Sequence, residues 1–298
     1  QAMRPRRLPG FMSATYLVPI PNMPLLGGRS LSQINGHSCA KSMSVLAKCA
    51  CCVRPQRGLN MPGYIRRFKE LRMSDIALVG GKTASLGEMY NALSPKGIRV
   101  PDGFAITASA YRDALNQAGA WNELNRLLED LRTAAVRDLA KRAASAREIV
   151  YRATGTDDIR DQIFEAYRRL ELEYGRNLSV AIRSSATAED LPNASFAGQH
   201  DSFINVRGKQ AVFEACRRCF ASIFTDRAIV YRNNNNFEHS KVGLSVAVMR
   251  MVRSDLGASG VTFTLDTESG FRDVVLVTGI YGLGENIVQG RADPDEFY

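Results

Sequence analysis

The sequence predicts an α+β fold, and three observations carry that expectation. Apolar residues three and four apart, such as Leu124, Leu127, Leu128 and Leu131, read as the buried stripe of amphipathic helices. Short runs rich in β-branched and aromatic residues, such as Ser202-Phe203-Ile204-Asn205-Val206, read as strands. Loops of Ser, Ala, Thr and Gly separate the two kinds of segment. At 298 residues the chain is long enough for one large domain or two smaller ones, and its 45% hydrophobic content is that of an ordinary globular protein. No run approaches the length of apolar residues that spans a bilayer, so no membrane partner is expected.

Residues 1–63 read as a basic, irregular leader outside the fold. They hold eight Lys or Arg and no acid, while the remainder holds 31 basic and 30 acidic residues. The net charge of +9 therefore belongs to the leader, and without interleaved aromatic residues it does not imply a nucleic-acid partner. Beginning at Gln1, the leader reads either as an organelle transit peptide or as an extension ahead of a start such as Met61. Cys39, Cys49, Cys51 and Cys52 lack the paired spacing of a tetrahedral metal site, so no metal is expected there. Cys216 and Cys219 are placed to enter a core from one helical face. With no disulfide framework, the expected compartment is reducing and cytoplasmic.

The folded domain is expected over 64–298. Val79-Gly80-Gly81-Lys82 reads as a glycine turn, followed by a helix over 83–93 with Leu86, Met89, Tyr90 and Leu93 on one face. Lys82 then stands beside a helix N-terminus, where backbone donors and the helix dipole favour an anion. A Walker A loop is excluded, because Ile76 occupies the position of its first glycine. A turn leads into a strand within 99–107. Helices are expected over 108–117, 121–151 and 158–174, then strands over 179–183 and 202–206, then a helix over 209–232. The Asn233 to Asn236 run reads as a turn. Three β-rich stretches, 242–252, 259–265 and 273–278, complete the pattern. Gly282-Leu283-Gly284 is not a dinucleotide fingerprint, since its third glycine falls on Ile287. His37, His200 and His239 are scattered and read as surface or loop residues.

The stretch with the most chemistry is Val180 to Gln199. A short apolar run delivers Arg183 to a strand end, and small and hydroxyl residues follow. Small side chains let backbone N–H groups approach an anion, and a guanidinium matches phosphate oxygens with a planar fork. A solvated surface loop would share that composition.

The wording of several motifs adds to this. Arg183-Ser184-Ser185-Ala186-Thr187-Ala188-Glu189-Asp190, Ala194-Ser195-Phe196-Ala197-Gly198-Gln199, Gly80-Gly81-Lys82-Thr83, Asp266-Thr267-Glu268-Ser269-Gly270-Phe271, Gly282-Leu283-Gly284-Glu285 and Asp293-Pro294-Asp295-Glu296-Phe297-Tyr298 stand in the order found in the pyruvate/phosphoenolpyruvate dikinases. From about residue 64 to 298 the chain resembles the nucleotide domain of that family, nearest to the branch whose acceptors are pyruvate and water. Because the family is best known from bacteria and archaea, the leader is read as an extension rather than a transit peptide.

The resemblance implies an ATP-grasp-type domain of two subdomains, incomplete at its C-terminus, with a subdomain boundary near 233–241. It implies that Lys82 and Arg183 contact ATP phosphates and assist transfer, and that the loop over 184–199 closes on them with Gly198 and Ser202 near the nucleotide. Residues 249–252 become the hinge that takes adenine, placing Met249, Met251 and Val252 at the base; relatives often carry glutamine in place of Met249. Glu285 falls at the ribose or metal end. The family's magnesium carboxylates, carrier phosphohistidine domain and pyruvate site lie beyond the position of Tyr298, so no metal ligand is expected within this chain. The implied reaction turns ATP, pyruvate and water into AMP, phosphoenolpyruvate and phosphate. Relatives with other acceptors (phosphate, glucan, antibiotic) and a non-catalytic nucleotide-binding fragment are the alternatives, and an oligomer is compatible with either.

Overall fold

A computed structural model describes residues 63–129, 136–187, 190–191, 194–195, 201–235 and 237–298. The leader's cysteines, His37, His200 and Gly198 lie outside the described residues. In chain order the elements are β1 (Ile65–Arg67), α1 (Ile76–Leu93), β2 (Gly103–Ile106), α2 (Ala108–Gln117), α3 (Ala120–Leu128), α4 (Val136–Ala153) and α5 (Asp157–Tyr174). There follow β3 (Val180–Ala186), β4 (Asp190–Leu191), β5 (Ala194–Ser195), β6 (Ser202–Val206), α6 (Lys209–Ala221) and α7 (Asp226–Asn234). The chain closes with β7 (Leu244–Arg250), β8 (Ala258–Phe263), β9 (Leu276–Tyr281), α8 (Glu285–Val288) and β10 (Asp295–Phe297). The α+β expectation holds.

The main sheet has five strands in the order β1-β2-β7-β3-β6, with every neighbouring pair antiparallel. Its two faces bury different things. Phe104, Ile106, Val180, Ile182, Val246 and Val248 point to one side, where they pack with Tyr111, Leu115, Leu124, Val150, Phe213 and Phe220 from α2, α3, α4 and α6. Each such side chain, fully buried, contributes about 1.5–3 kcal/mol. Ala105 and Ala247 point to the other side and meet Phe68, Leu71, Val79 and Ala84, most of them from α1 and the turn before it. Small residues on this face let α1 sit close to the sheet. A smaller antiparallel sheet, β10-β9-β8, forms from residues 258–297.

Several boundaries differ from expectation. The helix expected over 121–151 is two helices: α3 stops at Leu128, and Glu129 turns extended at φ −62°, ψ 139°. The helix expected over 209–232 breaks at Thr225, whose backbone is extended and whose hydroxyl accepts the Ala228 N–H at 3.2 Å, starting α7 afresh. α7 also runs through Asn233 and Asn234, which the turn reading excluded. β3 continues three residues past Arg183, because Ser184, Ser185 and Ala186 pair with Val246, Ser245 and Leu244 of β7. Cross-strand pairing outweighs their weak intrinsic preference for strand. β7, which follows the 233–241 segment, lies in the centre of the main sheet, so the sheet continues across that segment. The paired cysteines fall where expected, both buried on α6, and burial pushes both thiols up.

Candidate functional site

The glycine turn and the arginine strand meet. Gly80 interrupts α1 with φ +74°, ψ 161°, a conformation essentially restricted to glycine. A Cβ there would stand 2.3 Å from Ser185 Oγ and 2.6 Å from the Ser185 carbonyl oxygen, so the turn lies directly on β3. Helix resumes at Gly81, and the amide of Thr83 in its first turn donates to Ser185 Oγ at 3.2 Å. A side chain from another element thereby satisfies one of the amides that a helix N-terminus leaves open. Lys82, between these two contacts, is exposed. Thr83 Oγ1 and Ser245 Oγ, both buried, lack a hydrogen-bond partner among the described residues, and Ser245 stands opposite Ser185 on β7.

Register places the other predicted residues. Arg183 is exposed in the middle of β3, not at its end, with Ala247 of β7 opposite on one side and Ser202 of β6 on the other. Ser185 lies two residues further along β3 and so shares the face of Arg183. Met249 stands opposite Ala181 on β3 and Gly103 on β2, which puts it on the same face. The turn bearing Lys82, Arg183, Ser202 and Met249 therefore share one side of the main sheet. At Gly103 a Cβ would come within 2.2 Å of the Val248 carbonyl oxygen and 2.8 Å of Met249 Cα, so only glycine admits this strand spacing.

Beyond β7, the amide of Arg250 donates to the Asp102 carbonyl at 2.8 Å and that of Met251 donates to the Ser179 carbonyl at 2.9 Å. Two successive amides are thus committed to neighbouring segments just before Val252. Glu285 stands apart from these residues in the chain: it opens the four-residue α8 after β9, is exposed, and accepts from Gln289 Nε2 at 2.7 Å. Among the described residues no group of three or more His, Cys, Asp or Glu is arranged to hold a metal ion. None of their helices is long and apolar enough to cross a membrane. An open groove lined by Ala114, Glu123, Ile149, Arg152 and Thr156 belongs to the helical layer on the opposite side of the sheet.

Two clusters escaped the sequence reading. Asp102 gathers Arg67, Tyr174 and the Gly103 amide around one carboxylate. Its signal was the Pro101-Asp102-Gly103 turn, where an Asp side chain commonly binds nearby backbone. The second is Arg232 with His239. The guanidinium is fully buried, its Nε donates to His239 Nδ1 at 2.8 Å, and Nη1 and Nη2 have no hydrogen-bond partner among the described residues. Burial and the neighbouring charge of Arg232 pull the His239 pKa down to about 4. His239 lies half-buried on the segment between α7 and β7, within the surface-or-loop reading, but it is engaged by Arg232 rather than free.

Comparison with known proteins agrees with the motif order. The family model described as pyruvate phosphate dikinase, AMP/ATP-binding domain, matches residues 76–298. Among similar curated proteins, the phosphoenolpyruvate synthase of Helicobacter pylori is 50% identical over 236 residues, 79% of this chain and 29% of that protein. Those of Pseudomonas aeruginosa and Escherichia coli K12 are 51% and 48% identical, over 80% and 78% of this chain and 30% and 29% of theirs. The chain thus spans less than a third of the length of these relatives. With a family model matched from α1 to Tyr298 and half-identical relatives across the same region, the chain belongs to the pyruvate phosphate dikinase AMP/ATP-binding domain family.

Proposed function

We propose that this chain is the ATP cradle of a phosphoenolpyruvate synthase, a pyruvate, water dikinase that converts ATP, pyruvate and water into AMP, phosphoenolpyruvate and phosphate through a phosphohistidine. The observation that carries the reading is the seating of the Gly80 turn on Ser185 beside Arg183, which gathers an ammonium, a guanidinium and helix N-terminal amides on one sheet face. Phosphoryl transfer requires mainly positioning and charge neutralisation, and this set supplies both. Lys82 and Arg183 hold the phosphates, with Ser202 and Gly198 beside them. Met249 lines the base pocket, and the backbone of Met251 and Val252 receives adenine. Glu285 takes the ribose end.

The same reading makes the domain an ATP-grasp fold, residues 64–298, preceded by a leader that takes no part. We put the change between its subdomains after β7, within 251–257, because β7 pairs on both sides with strands of the first sheet. Magnesium, the carrier histidine and pyruvate belong to the longer protein, and the same reading gives that protein a gluconeogenic role in the cytoplasm. Titration of the chain with ATP, AMP and inorganic triphosphate tests the cradle. Saturable binding of all three, weakened for ATP and triphosphate by Arg183→Ala, is expected; no binding of any of them overturns the reading. Product analysis of a longer form with pyruvate, looking for AMP and phosphoenolpyruvate, tests the acceptor.

A further inference from the structure

We infer that Asp102 is a positioning residue for the adenine end of the site, acting through Arg250. This rests on the reading of 249–252 as the hinge.

Asp102 is buried, with only 4% of its surface exposed, and every part of it is engaged. Oδ1 accepts the Gly103 amide at 2.7 Å, which fixes the carboxylate against the start of β2. Oδ2 accepts Arg67 Nη2 at 2.7 Å and the Tyr174 hydroxyl at 3.1 Å. Its carbonyl oxygen accepts the Arg250 amide at 2.8 Å, at the last residue of β7. The Arg250 guanidinium in turn lies over the Tyr174 ring, 4.7 Å from its centroid. A closed circuit results: Arg250 is bound to Asp102 through its backbone and, by way of Tyr174, through its side chain. Arg67 anchors the circuit from outside by a two-pronged pairing with Glu173 at 3.0 and 2.9 Å.

This circuit lies where β7 leaves the sheet. Strand pairing fixes Met249 against Gly103, and the Asp102 circuit fixes Arg250 one residue on. The Met251 amide is then taken by Ser179. Val252 is consequently the first hinge residue whose amide no described residue engages, and its direction is set by the fixed residues before it. A base that hydrogen-bonds to backbone needs such pre-set groups, because ordering a loose segment on binding subtracts from affinity. The Tyr174 hydroxyl donates to Asp102, and burial followed by the Asp102 charge pushes that hydroxyl up, away from ionisation.

The test compares AMP with inorganic triphosphate as separate probes, by calorimetric titration of the full 298-residue chain. Asp102→Asn should raise the Kd for AMP about tenfold while leaving that for triphosphate within about twofold, since the phosphate-facing residues lie two strands away. Tyr174→Phe, which keeps the Arg67 pairing and removes only one link, should raise the AMP Kd about threefold and speed amide hydrogen exchange at Arg250 and Met251. A merely structural role would weaken both probes together. Equal AMP affinity in wild type and both variants, or parallel loss of AMP and triphosphate, overturns the proposal. If the wild-type chain binds triphosphate but not AMP, the hinge reading itself falls, and the role of Asp102 with it.

Discussion

Replacing Gly80 with alanine should damage this protein far more than the loss of a single hydrogen atom suggests. Two costs combine. At φ +74°, ψ 161° a side chain pays about 1–3 kcal/mol of backbone strain. The added methyl would also stand 2.3 Å from Ser185 Oγ and 2.7 Å from the Ser185 carbonyl carbon, and the latter belongs to a strand paired on both sides. Forcing an atom into such a contact costs about 1–3 kcal/mol more. Gly97→Ala is the natural control: its φ is also positive, at +83°, but nothing among the described residues lies within 4 Å of the new methyl, leaving about 1 kcal/mol of strain alone. Gly80→Ala is therefore expected to lose about 4 kcal/mol and Gly97→Ala about 1, and at this chain length the first corresponds to a Tm lower by roughly 8–16 °C. Urea unfolding, followed by circular dichroism and by the fluorescence of Trp121, gives both values. Equal midpoint shifts for the two variants would refute the claim that the turn is seated on β3.

Other consequences can be measured on the same preparation. Arg183→Ala should weaken ATP binding by about 10- to 100-fold, the worth of one charge-assisted contact, and in a complete dikinase should lower turnover roughly 10²-fold; unchanged ATP affinity argues against a phosphate role. Because His239 is neutral in the fold with a pKa of about 4 but takes a proton near its ordinary value when unfolded, stability should be full above that value and fall as pH drops toward 4. The loss should be at most about 3 kcal/mol, and His239→Gln should remove this component from a pH series of urea midpoints. Thr225→Ala removes the cap that restarts α7 and should cost about 1 kcal/mol, read from the same denaturation curves.

Local chemistry was legible where it was also sufficient. α2 begins and ends where its pattern does, β6 spans the strand expected over 202–206, and Cys216 and Cys219 enter the core together as their spacing implies. The break after Leu128 was not legible, because residues 129–135 contain no glycine or proline and their helical stripe runs on through Leu131. Thr225-Asp226 did carry a capping signal, but the continuous apolar pattern across it masked the restart. Motif wording singled out Lys82 and Arg183, yet the contacts that seat the Lys82 turn on the strand of Arg183 are made by Ser185, one of many small residues in that stretch. The Asp102 circuit draws on residues 67, 102, 173, 174 and 250, and no local pattern can announce a cluster assembled across such distances.

The position of β7 bears on how the chain comes to fold at all. Its partners β2 and β3 are made long before it: Gly103 waits for Met249, roughly 145 residues later, and β3 and β2 cannot join until β7 slots between them. During synthesis both strands expose unpaired edges, with Phe104, Ile106, Val180 and Ile182 ready to meet the wrong partner. Pairings this remote in sequence form slowly. Nascent chains halted before residue 244 should thus be captured by holding chaperones and cleaved readily by protease, and resistance should arrive abruptly once β7 has emerged from the ribosome.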